Sequence, residues 1–113
     1  YDLCGLTGLF LGGALCGLPM IIDGVIASAA ALCAVRLCPT VRDYLIASHH
    51  TAEPAGVLLE QALDVKPIID AHMALGEGTG AVLLFGMLDA AASLYTNGDT
   101  FDDSNIEAYQ PLS

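Results

Sequence analysis

Apolar residues along this chain come in blocks, separated by Gly, Pro, Asp and Asn, and the blocks alternate between long and short. The first covers residues 2–16, rich in Leu, Gly and Ala, and predicts a small-residue helix. Gly17-Leu18-Pro19 breaks it, because Pro cannot donate to a helix and Gly leaves it readily. Met20-Ile21-Ile22 then reads as a short buried strand that turns at Asp23-Gly24. Residues 27–37 predict a second helix, with Ser28 near its start and Pro39 beyond its end. The run RDYLIAS at 42–48 predicts another strand. Thr51-Ala52-Glu53-Pro54 has the grammar of a helix start, and that helix runs to about Leu63. Residues 66–70 form a short strand or extended link. The glycine-rich stretch 76–80 opens a last helix over 81–95, closed by Asn97-Gly98.

This alternation favours a parallel or mostly parallel sheet in an α/β fold. Residues 1–98 form the α/β part, and residues 99–113 an acidic irregular tail. Two or three strands are few for a doubly wound sheet. The chain also opens Tyr1-Asp2-Leu3, without Met and already inside an apolar stretch, so the expectation is a piece of a longer polypeptide.

Residues 3–22 are 20 positions without a charge, the length of a membrane span, and they hold two glycine pairs at four-residue spacing. The break at 17–19 and the lack of a preceding Lys or Arg favour a buried helix followed by a buried strand over a membrane hairpin. No partner membrane is expected. The balance of 3 basic to 13 acidic residues gives a net charge of -10, which argues against nucleic acid. A single small phosphate remains compatible, since a helix N-terminus binds one through backbone N–H groups. Cys4, Cys16, Cys33 and Cys38 form no CxxC pair, so no metal site and no cofactor is expected. Their apolar surroundings suggest buried thiols in a reducing cytoplasm rather than disulfides.

Three turns lie where ligands collect beyond strand ends in α/β folds. Asp23-Gly24 offers a carboxylate beside a glycine that lets backbone or ligand come close, or is an ordinary turn. Ser48-His49-His50-Thr51-Ala52-Glu53-Pro54 offers the Thr51 hydroxyl and first-turn amides to a phosphate, or is plain capping. The two adjacent His lack the spacing of a metal pair. In Leu75-Gly76-Glu77-Gly78-Thr79-Gly80-Ala81, alternate glycines frame one acid. Glu77 is a candidate base if burial raises its pKa, or else simply complements the helix dipole. The GxGxxG dinucleotide fingerprint is absent.

The blocks IDGVIASAAAL at 22–32, SHHTAEP at 48–54 and LGEGTGA at 75–81 together resemble the C-terminal third of the nicotinate-nucleotide:dimethylbenzimidazole phosphoribosyltransferases. The resemblance implies a Rossmann-like three-layer sheet with flanking helices. It also implies transfer of phosphoribosyl from nicotinate mononucleotide to a benzimidazole or purine base, in a cytoplasmic homodimer. The family's base falls on Glu77, its phosphate-binding hydroxyl on Thr51, its ligand-contacting turn on Asp23 and Gly24, and residues lining the site on Leu75 and Gly76. Family members more often carry Ser where Thr51 stands, and Gly-His after Glu-Pro where this chain has Ala55-Gly56. They are much longer, with an upstream nucleotide loop and aromatic-base pocket, so the chain alone is expected to have little turnover. The alternative from a different class is a non-catalytic binding or assembly domain that keeps these motifs as structure.

Overall fold

Small side chains set the geometry of the first half. In the computed structural model, which describes residues 1–74, 76–100, 102–104 and 107, helix α1 spans Asp2–Leu15 and helix α2 spans Gly24–Leu37. Ala30, Ala31 and Ala34 of α2 are wholly buried, and α1 lies against that helix. With only methyl groups on this face, the backbones approach closely: the Thr7 hydroxyl on α1 reaches Ala30 O on α2 at 3.3 Å, while donating at 2.6 Å to Leu3 O of its own helix. Phe10, Ile22, Val41 and Leu63 complete this core.

Between these helices runs strand β1, Met20–Ile22, and beyond α2 a 3-10 turn covers Pro39–Tyr44. Strands β2 (Leu45–Ala47) and β3 (His49–Thr51) follow, then helix α3 (Pro54–Leu63), strand β4 (Ile69–Met73) and helix α4 (Thr79–Asn97). Strand β1 pairs with β2 and β3 with β4, both parallel. Ser48 joins the two pairs: its N–H donates to Ile22 O at 3.1 Å and its C=O accepts from Ile69 N at 2.9 Å. The α/β class with parallel strands is thus as expected. The sheet is two short parallel pairs joined at Ser48, with α1, α2 and α3 packed together beside them.

Element bounds differ where Pro and Gly decide them. The strand expected over 42–48 begins only at Leu45, because Pro39 at the start of the 3-10 turn preorganises a tight helical turn that buries Val41. The helix expected from Thr51 starts at Pro54, and Thr51 is the last residue of β3. Helix α2 starts at Gly24, directly after Asp23, rather than at Ala27.

The cysteines correct one expectation. Cys4, Cys16 and Cys33 are exposed and Cys38 is half-buried, all four as free thiols. Cys33 sits off the face that Ala30, Ala31 and Ala34 turn to the core.

The uncharged stretch 3–22 is no single span, since α1 ends at Leu15 and the Cys16, Gly17 and Leu18 amides fold back onto its last carbonyls. By length and composition alone, α4 is the one helix among the described residues long and apolar enough to cross a bilayer. It is also poorly covered: Gly80 and Leu84 are buried, while Val82, Leu83, Phe85, Met87, Leu94 and Tyr95 are exposed. Past α4, Asp103 accepts from the Thr100 hydroxyl (2.6 Å) and amide (2.9 Å), and these bonds hold its carboxyl below the usual carboxylate range.

Candidate functional site

Asp23 ends β1 in an extended conformation, and its side chain crosses to the start of α4. Its carboxylate accepts from Gly78 N at 2.8 Å and from Ala81 N at 2.9 Å. These are unpaired amides at a helix N-terminus, where negative charge is also favoured by the dipole. No residue within α4 caps them, so Asp23 does so from 55 and 58 residues away. The neighbouring glycines are what allow the approach. Gly24 has φ 68°, and a Cβ built on it would lie 2.9 Å from Gly76 Cα. The first and third motif blocks are therefore one backbone-to-backbone contact.

The second block joins them through His49, whose side chain is 1% exposed. The Ser48 hydroxyl donates to Ile22 O at 2.7 Å, which commits its only proton. It must then accept from His49 Nδ1 at 2.9 Å, so Nδ1 carries a hydrogen. Nδ1 also lies 3.8 Å from Asp23 Oδ1. Among the described residues, Nε2 is buried with no hydrogen-bond partner. The ring's other neighbour is Gly80, where an added Cβ would stand 2.0 Å from Nδ1. Gly80→Ala is therefore expected to lower stability by about 1–3 kcal/mol, as overpacking of a filled site does. Urea unfolding would measure it, and an unmoved midpoint means the ring yields freely.

The remaining site residues are placed as follows. Thr51 is 5% exposed, and its hydroxyl oxygen accepts from Glu53 N at 3.3 Å. Its methyl group fills the space over Gly56, which accounts for glycine at that helix position. The N-cap of α3 is Glu53 rather than Thr51, because Thr51 is held in β3. His50, next along, faces Glu60 of α3, with Nδ1 at 2.9 and 3.0 Å from the two carboxylate oxygens. Gly76 and Glu77 are exposed. Leu75 lies outside the described residues.

Glu77 thus sits two residues before α4, on a loop pinned by Asp23, and is exposed among the described residues. A groove of about 490 Å³ opens elsewhere, between α1 and β1, lined by Leu6, Phe10, Gly13 and Met20 among others. Among the described residues, no group of three or more His, Cys, Asp or Glu side chains converges to hold a metal.

Sequence reasoning missed the part played by Ser48, His49 and Gly80, because the pairs Ser48–Ile22 and His49–Gly80 are distant in the chain and carry no local pattern. A serine and histidine adjoining a short buried strand were the available signal.

A family model described as phosphoribosyltransferase matches residues 1–106. The nicotinate-nucleotide–dimethylbenzimidazole phosphoribosyltransferase of Acetivibrio thermocellus is 47% identical over 111 residues, 98% of this chain and 32% of that protein. The protein of the same name from Clostridium acetobutylicum is 44% identical over 112 residues, covering 99% and 32%. The crystal structure of CobT from Thermus thermophilus superposes with a TM-score of 0.86 at 39% identity, over 93% of this chain and 31% of that one. The chain spans about a third of the length of the curated relatives it matches. On the match over residues 1–106 and the agreement of its fold with that structure, the chain belongs to the phosphoribosyltransferase family.

Proposed function

We propose that this chain carries the base-bearing part of an enzyme that transfers phosphoribosyl from nicotinate mononucleotide to dimethylbenzimidazole or a related purine-like base. The product, α-ribazole phosphate, serves lower-ligand assembly of cobamides. The observation that carries the reading is the Asp23 carboxylate on Gly78 and Ala81, which holds the Glu77 loop against the turn at 23–24. Glu77 takes the N–H proton of the incoming heterocycle while its nitrogen attacks C1′ of the ribose. The C1′–pyridinium bond breaks, and its electron pair neutralises the departing nicotinate, so the leaving group needs no metal. Thr51 accepts from Glu53 N and keeps its own O–H free to donate to a phosphate oxygen, beside the N-terminal amides of α3. Asp23, Gly24 and Gly76 stand on the ligand side of the loop in this reading.

The rest of the pocket comes from the length that the relatives have and this chain lacks, from upstream chain or a complementary polypeptide. That added protein covers Glu77 and the apolar faces of α1 and α4, and shields the reacting centre from bulk water. A homodimer in the cytoplasm is the assembly this reading implies. The exposure of Glu77 favours one competing reading, a non-catalytic assembly domain.

The test is ribazole phosphate formation from nicotinate mononucleotide and dimethylbenzimidazole. Residues 1–113 alone should give none, and a polypeptide supplying the relatives' remaining length should turn over. Turnover by 1–113 alone overturns the shared pocket; no turnover by the longer protein leaves the assembly domain.

A further inference from the structure

Among the described residues, one buried side-chain polar atom has no hydrogen-bond partner, His49 Nε2 beside the Asp23 clamp. Asp23 Oδ1 and Oδ2 take the Ala81 and Gly78 amides, and the Ser48 proton goes to Ile22 O at the end of β1. His49 stands between these two sets. Its Nδ1–H points into the space shared by Ser48 Oγ at 2.9 Å and Asp23 Oδ1 at 3.8 Å, while the ring lies flush against Gly80 of α4. A buried imidazole whose Nε2 finds no partner among the described residues is costly to keep. A plain apolar side chain of the same volume would pack this space without that cost.

The geometry points to His49 as a positioning residue. By its Nδ1 hydrogen bond to Ser48 and its contact with Gly80, it fixes the distance between the end of β1 and the start of α4, and so holds Asp23 and the Glu77 loop in the reactive arrangement. It touches no substrate. The inference rests on the proposed role of Glu77 and adds what keeps that residue in place.

The donor is what matters, so two variants separate it from bulk. Asn presents an N–H near the Nδ1 position, whereas Leu fills similar space with no donor. In the longer enzyme, His49→Leu is expected to lower kcat by about 10- to 100-fold, the scale of a misplaced catalytic group, with the KM for nicotinate mononucleotide changed far less. His49→Asn should recover most of that loss. Equal kcat loss in both variants, or wild-type kcat in His49→Leu, overturns the inference while leaving Glu77 untouched. Wild-type kcat in Glu77→Gln instead removes the reading beneath it. If neither His49 variant folds, the ¹⁵N shifts of the unsubstituted protein decide at neutral pH. A protonated Nδ1 supports the inference, and an Nδ1 without a hydrogen overturns it.

Discussion

Glu77→Gln, made in a polypeptide of the relatives' full length, should lower kcat by about 100- to 10,000-fold, the usual contribution of a positioned general base. The fold should be indifferent to the change. Glu77 is exposed, makes none of the side-chain hydrogen bonds around Asp23, and Gln is nearly isosteric with it. The KM for nicotinate mononucleotide should move little, because that substrate presents no proton for this group to take. A neutral amide also cannot gain reactivity as pH rises, so any acid limb of the wild-type rate profile should vanish with the substitution. Steady-state assays across pH, with circular dichroism as the control, measure both effects. A variant with unchanged kcat would show that the glycine-framed acid serves only the helix end, and the assembly-domain reading would take over.

Asp23→Ala should be the most damaging single change to the arrangement itself. It strips two N-terminal amides of α4 of the side-chain acceptor they have among the described residues and removes a negative charge from the helix N-terminus. For partly buried donors the expected cost is about 1–3 kcal/mol in urea unfolding. Activity should fall further than stability, because the loop carrying Glu77 loses its tether to β1 while the core of α1, α2 and α3 is untouched. Asp23→Asn is the informative companion. It keeps one acceptor oxygen and loses the charge, so it should retain one of the two hydrogen bonds and an intermediate activity. Full activity in Asp23→Ala would mean that the Gly24–Gly76 contact alone seats the loop.

The chain announced some of this directly. Pro19, Pro39, Pro54 and Gly78 punctuate the elements, so the alternation of helices and strands and the parallel pairing were legible from local pattern. So were the turns at Asp23, Thr51 and Glu77 as element boundaries, since each stands where a strand gives way to a helix. Bounds were less legible where one residue tipped a balance. The tight turn begun by Pro39 took the first half of an expected strand, and Glu53 rather than Thr51 ended up preceding α3. Long-range geometry was not legible at all. Nothing near Asp23 says that its carboxylate caps α4, and nothing near Gly80 says that a histidine ring occupies its missing Cβ. Exposure of the cysteines was misjudged for a related reason. Apolar neighbours in sequence do not become neighbours in space when a segment presents only one face to its own chain.

The span of the Asp23 clamp carries a kinetic consequence. Contacts between residues 55 and 58 positions apart form only after the intervening chain has been closed, whereas the methyl-lined contact of α1 with α2 is nearly local. The loop that carries Glu77 is thus a late arrival on the folding route, added to a helical core already in place. Weakening it should hasten departure from the native state far more than it slows arrival, so this loop is lost through early local opening rather than through failure to fold.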